Sequence, residues 1–123
     1  MMLTMRAMAV AAFLAVSASP SMAAETRCGY FVNPTPANAW LHDKDGEWII
    51  ASQGGHQADG DWPSFENGGQ WVATNGSYGY GCACMSVTVD RAEWRVVTIH
   101  SATVKPLRAC KKDPALKGFQ GLE

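Results

Sequence analysis

Two cysteines lie close together in Tyr78-Gly79-Tyr80-Gly81-Cys82-Ala83-Cys84-Met85, with Cys28 upstream and Cys110 downstream. As thiolates on one face of a strand, Cys82 and Cys84 would suit a soft metal ion or a redox couple. As half-cystines they would staple the chain. Four cysteines permit three connectivities. A bond between Cys82 and Cys84 is disfavoured, because i and i+2 neighbours in a strand stand about 6.6 Å apart with parallel Cβ vectors, whereas a disulfide wants Cβ atoms about 4 Å apart. Each is therefore expected to pair outward, one with Cys28 and the other with Cys110, in either combination. Each such closure stabilises by roughly 3 to 4 kcal/mol in the chain-entropy picture.

Other reactive side chains are more scattered. His56, Asp59 and Asp61 share a glycine-rich segment and are able to contact a cation, but their spacing matches no ligand motif, and Asp-Gly-Asp is ordinary turn chemistry. Asp43-Lys44-Asp45-Gly46 resembles the start of a calcium loop, yet the twelfth position is Gly54 where a bidentate Glu is required. No phosphate-binding glycine loop and no His-Glu-x-x-His helix is present, and His42, His56 and His100 are far apart. The expectation is a protein with no catalytic set, no metal site and no cofactor.

The chain opens with an export pattern. Arg6 supplies a positive n-region, Ala7 to Val16 is an apolar run, and Ser21-Met22-Ala23 presents small residues for cleavage after Ala23. The run is too short to span a bilayer, which takes roughly 18 to 20 apolar residues. Cys28 follows Glu25-Thr26-Arg27, which is not a lipid-modification context. The expected organisation is a signal peptide over residues 1–23 and one disulfide-stabilised β domain over 24–123, periplasmic or secreted and without membrane insertion after cleavage. In that oxidising setting an even cysteine count favours staples over free thiols.

Without Arg6 the remainder carries nine basic and eleven acidic residues, a formal charge of −2 that argues against a general nucleic-acid binder. The charges are unevenly spread. Residues 28–90 hold seven acids and only Lys44 as a base, whereas residues 91–123 hold seven bases and three acids. Two oppositely charged faces would steer a charged partner. Interleaving of the two halves in one sheet would cancel the fields, and β topologies usually mix early and late strands.

Short runs rich in Val, Ile, Trp and Thr, separated by turn residues, predict a mainly β fold: a small disulfide-stapled, curved antiparallel sheet or barrel-like single domain. Ala39 to Leu41 and Glu47 to Ala51 form a hairpin about His42 to Gly46. Gln70 to Thr74 leads through Asn75-Gly76 into the long run Tyr78 to Val89. Trp94 to His100 is the next strand, Thr103 to Lys105 a last extended piece, and Lys111 to Lys117 a candidate helical turn. Gly79 and Gly81 share a face of the long run, leaving room for a bend or a close-packed aromatic. Of five tryptophans, Trp48, Trp71 and Trp94 are expected in the core and Trp40 and Trp62 at the surface.

The stretch from Cys28-Gly29-Tyr30-Phe31-Val32-Asn33-Pro34-Thr35-Pro36 through Gly60-Asp61-Trp62-Pro63 and Gly79-Tyr80-Gly81-Cys82-Ala83-Cys84 to Lys105-Pro106-Leu107-Arg108-Ala109-Cys110 resembles a family of small exported bacterial proteins known only as a domain of unknown function. The resemblance implies export and a cysteine-stapled fold, and it brings no activity. The functional expectation therefore comes from the irregular segment Ser52 to Gly69. A long structured loop in a small domain is often a binding element. Trp62, Asp59, Asp61 and His56 are the expected contacts of a periplasmic protein-binding module, for instance an inhibitor or immunity-type partner of a cell-wall hydrolase. A glycan-binding module using Trp40 and Trp62 is one alternative. A metal or redox protein using free Cys82 and Cys84 is another.

Overall fold

The computed structural model describes residues 7–12, 23–66 and 70–121. The expected leader and its cleavage point fall largely outside them. Six strands form one sheet: β1 (Glu25–Thr35), β2 (Asn38–Asp43), β3 (Gly46–Ala51), β4 (Trp71–Asn75), β5 (Tyr78–Asp90) and β6 (Arg95–Lys105). A short helix, α1 (Leu107–Lys111), and a 3₁₀ turn at Pro114–Leu116 follow. The strand order is β1-β2-β3-β6-β5-β4, and β1 also pairs with β5, so the sheet curves into a ring. All pairings are antiparallel except β3 with β6, which meet in parallel at Ile49 and Arg95. This is the strand order of an OB-type barrel, a five-stranded and partly open Greek key, with β4 as an added strand.

β1 carries no strand signal in the sequence reading, and the reason is physical. Tyr30, Phe31 and Val32 are buried in succession because both faces of β1 are covered. Alternation, the mark of a half-buried strand, is therefore lost. Phe31 enters the barrel interior with Leu41, Trp48, Ile50, Met85, Val87 and Val96. Tyr30 and Val32 enter a second cluster on the outside, with Cys82, Cys110 and Leu116. The C-terminal segment covers this outer cluster, and Phe119 stacks on Tyr30 with ring centroids 4.0 Å apart. The helical turn expected over Lys111 to Lys117 is the 3₁₀ turn at Pro114–Leu116, and α1, starting at Leu107 after Pro106, is a further short helix that precedes it.

β6 runs unbroken through Ser101 and Ala102, joining the two pieces expected separately. Its register against β5 slips beside Ser86/Val87 and again beside Thr88/Val89, so Val96 and Ile99 both point inward although three residues apart. Such bulges bend a strand and hide its period. Trp94 departs from its core expectation. It occupies the β5–β6 turn at φ 51° and is 44% exposed, leaning on the buried Trp48 with ring centroids 4.6 Å apart.

The disulfides join Cys28 to Cys84 and Cys82 to Cys110. Cys28 and Cys84 are direct cross-strand partners in the β1–β5 ladder. Cys82 reaches outward to α1 and pins the C-terminal cover. Two residues apart on one face of β5, the inner cysteines serve different neighbours, as strand geometry requires.

At the β2–β3 turn a buried cation closes one end of the barrel. Arg27 Nη1 donates to Asp43 Oδ2 (2.7 Å) and Asp45 Oδ2 (2.9 Å), and Nη2 donates to Glu25 Oε2 (3.2 Å). Its guanidinium carbon lies 4.1 Å from the Trp48 ring centroid, and Trp48 Nε1 donates to Asp43 Oδ1 (3.0 Å). Burial opposes the charge on Arg27, but the hydrogen bonds to Asp43 and Asp45 outweigh it and raise its pKa. The Arg27 hydrogen bond conversely holds the Asp45 carboxyl below its ordinary value of 3.8. Because the folded value is the lower one, the stabilisation from Asp45 is present above the unfolded pKa and is lost as pH falls through the folded one.

Two outcomes are expected. Asp45→Asn lowers the urea midpoint at about pH 7, and the gap to the parent narrows as the pH is taken below 3.8; a gap independent of pH would contradict the Arg27 linkage. In limited reduction followed by alkylation and peptide mapping, Cys28 and Cys84 are labelled first, because Cys28 is exposed while Cys82 and Cys110 are 3% and 2% exposed. Earlier labelling of Cys82 and Cys110 would contradict the assigned burial.

Candidate functional site

The barrel is open between β3 and β6 beyond their single point of pairing, and the segment after β3 fills that gap with its main chain. Ala58 N donates to Ile50 O (2.9 Å), Asp59 N to Val97 O (3.0 Å), and Ile99 N to Asp59 O (2.7 Å). Gln57 bridges to Ala51 on one side, and Asp59 bridges to Thr98 on the other. The segment is thus tied to both strands as a short surrogate strand. Gly60, at φ 96°, lets the chain cross β6, and a Cβ there would collide with the Ile99 carbonyl. Only glycine meets both demands.

This anchoring places the sequence-derived contact residues. Asp59 and Asp61, on either side of Gly60, are exposed. Trp62 is half-buried over the interior, its ring 5.7 Å from that of Phe31. His56 faces inward to the fold, with Nε2 2.7 Å from the Val96 carbonyl oxygen. Its contact ties the segment to β6. Asp61 and Trp62 come together in a groove of about 470 Å³ along β6, lined also by Gly60, His100 and Ser101. His100 itself contacts Thr88 Oγ1 (2.8 Å).

Trp62 also walls a second cavity, of about 270 Å³, at the same end of the barrel. Phe31, Phe65 and Trp71 are its other aromatic walls, and Asn33, Glu66 and Ser77 its polar ones. Phe65 and Trp71 pack with centroids 4.8 Å apart, and Trp71 Nε1 donates to the Ser77 carbonyl (3.0 Å). Asn33 is held by Nδ2 donations to Thr35 O (2.9 Å) and Asn38 O (2.7 Å). Asp61 and Glu66 are the acidic residues lining the two cavities, and neither cavity is lined by Lys or Arg among the described residues.

Phe31, Asn33, Trp71 and Ser77 escaped the functional reading because β1 and the β4–β5 hairpin, far apart in sequence, bring them together. One signal was legible. The room left by Gly79 and Gly81 on the inner face of β5 is used twice: the β4 backbone at Val72 comes close over Gly79, and the Phe65 ring seats on Gly81. Trp40, offered as a sugar platform with Trp62, packs instead with the outer cluster, away from the interior that Trp62 covers. Cys82 and Cys84 are both in disulfides, so neither is available as a thiolate. Among the described residues no three His, Cys, Asp or Glu side chains converge as metal ligands.

These features define a small, two-disulfide β barrel of the OB type, closed at one end by a buried cation and carrying an aromatic cavity at the other. The chain belongs to the family described as Protein of unknown function (DUF4087), whose profile matches residues 22–117. Neither a curated protein nor a solved structure matches it. An OB-type barrel hosts many functions, so its ligand has to be argued from the site.

The contact between Gly81 and Phe65 is testable as a pair. Gly81→Ala destabilises by about 1 to 3 kcal/mol by overpacking. In a Phe65→Ala background the same change costs much less, as measured by urea unfolding of all four proteins in a double-mutant cycle. Strict additivity would mean that Gly81 does not hold the Phe65 wall in place.

Proposed function

We propose that this protein is an exported binding module that engages another protein through Asp59, Asp61 and Trp62, with no chemistry of its own. The observation that carries the reading is the anchoring of residues 57–60 into the gap between β3 and β6. It presents two exposed carboxylates and a large aromatic on or beside a main chain tied to both strands, which lowers the ordering entropy lost on binding. His56 is a positioning residue in this reading, since its ring nitrogen meets the Val96 carbonyl.

Export is supported by the leader pattern over residues 1–23 and by two disulfides, which persist in an oxidising compartment. Among the described residues no helix is long and apolar enough to cross a membrane. The exposed acids favour a basic partner, and a basic peptidoglycan hydrolase held by an inhibitor of this kind fits both compartment and charge. A glycan reading has less support, because Trp40 and Trp62 do not form one platform and the aromatic cavity accepts a single group, not an extended chain.

The test is binding and activity with a panel of purified peptidoglycan hydrolases, measured with the oxidised protein. At least one basic hydrolase is expected to be bound and slowed, and the triple variant Asp59→Asn, Asp61→Asn, Trp62→Ala is expected to lose about tenfold or more in affinity while keeping its unfolding midpoint within a small margin. Failure to bind or slow any member of the panel would overturn the hydrolase assignment. Equal binding by parent and variant would move the contact surface elsewhere.

A further inference from the structure

The barrel has two ends built from the same chemistry, and among the described residues only one of them contains its cation. At the β2–β3 end Arg27 lies over Trp48, with Asp43 and Asp45 accepting its hydrogen bonds. At the other end, six residues and about 20 Å further along β1, Phe31 and Asn33 contribute to the aromatic cavity. There Trp62, Phe65 and Trp71 provide the ring faces, Glu66 stands in the lining, and Asp61 stands beside Trp62 in the adjoining groove. Aromatic faces attract a cation through their quadrupole, and a planar guanidinium both stacks on them and pairs with a carboxylate.

From this juxtaposition the geometry points to the aromatic cavity as the receptor for one arginine side chain of a protein partner, with Trp62 and Trp71 as the stacking surfaces and Glu66 as the counter-charge. The inference rests on the binding-module reading above and names the chemistry its partner must present. Three features select this occupant. The cavity, at about 270 Å³, falls under the usual 300 to 1,000 Å³ of small-molecule pockets and suits a single side chain. Among the described residues no Lys or Arg lines it, and Glu66 has no cation inside the cavity. Glu66 makes no ion pair among the described residues, unlike Glu25, Asp43, Asp45 and Glu93, each of which is matched to an arginine. A neutral apolar side chain would fill the walls but leave Glu66 unanswered at the rim.

The experiment uses the full oxidised protein and follows the indole N–H signals of all five tryptophans by two-dimensional NMR during titration with Nα-acetyl-argininamide. Its isosteric neutral analogue, Nα-acetyl-citrullinamide, is the control. Saturating shifts are expected at Trp62 and Trp71, with Trp48 and Trp94 at the opposite end unmoved. The citrulline compound is expected to bind at least about tenfold more weakly, and Glu66→Gln to weaken the arginine compound roughly threefold to tenfold with the rest of the spectrum unchanged. Equal shifts from both compounds, or none from either, would overturn the inference.

A second copy of this chain is the other candidate occupant, since Arg108, Lys111 and Lys112 are exposed around α1. Concentration-dependent self-association in light scattering, abolished by both Arg108→Ala and Trp62→Ala, would assign the cavity to that contact and overturn the external partner. The cavity chemistry and the hydrolase assignment fail separately. A hydrolase bound through Asp59 and Asp61, with no arginine effect at Trp62, removes the inference and leaves the module. An arginine effect with no hydrolase bound removes the hydrolase assignment and leaves the cavity chemistry.

Discussion

Strand β5 is thirteen residues long and has neighbours on both edges from Gly79 to Val87, and the rest of the molecule is arranged around that demand. One edge is taken by β1, the other by β6 and then β4. Each unpaired buried N–H or carbonyl would cost on the order of 1 to 3 kcal/mol, so these ladders leave little freedom in where the other strands lie. Its inner face is small toward β4, with Gly79, Gly81 and Ala83, and larger toward Asp90, with Met85 and Val87. Its outer face carries the two cysteines that tie it to β1 and to α1. The strand that organises the ladder therefore also carries both covalent links.

The two ends of the barrel solve the same closure problem differently. Near the β2–β3 turn, closure is ionic and aromatic: a buried guanidinium, Trp48 below it, Trp94 outside. Removing one partner of such a buried pair typically costs about 3 to 5 kcal/mol, because the remaining charge has no solvent to return to. At the other end the closure is aromatic without a cation, and it stays open enough to form a cavity. Structural need accounts for Phe31 at the bottom of that cavity, and the exposed Glu66 at its rim is the carboxylate on which the arginine proposal rests.

Rigidity and presentation come from one device. The segment between β3 and β4 would be a mobile loop if it merely crossed the surface, but its main chain completes the gap between β3 and β6. Asp59 donates and accepts main-chain bonds on β6, and Gly60 then turns the chain outward. The carboxylates of Asp59 and Asp61 are left free because the backbone, not the side chains, does the anchoring. The early acids and late bases partly cancel, as Glu25 does with Arg91, while Arg108, Lys111 and Lys112 remain exposed around α1.

Local pattern was enough to reveal the β class, the β2–β3 hairpin, the Asn75-Gly76 turn, and the outward pairing of Cys82 and Cys84, because each depends on periodicity or geometry within a few residues. The glycines of β5 also announced that something would come close. The choice of Phe65 and the β4 backbone for those places lay in tertiary contact. So did β1, whose alternation vanishes when both faces are covered, and the continuity of β6, whose bulges scramble its period. The choice between the two remaining cysteine connectivities required the β1–β5 register that sets Cys28 opposite Cys84. The candidate site divides in the same way: Asp59, Asp61 and Trp62 were readable as a composition, since they lie within four residues, but the cavity joins β1, β4, the β4–β5 turn and the connecting segment. Sequence by itself determined what kinds of residue were available, and only the ring closure decided which of them face one another.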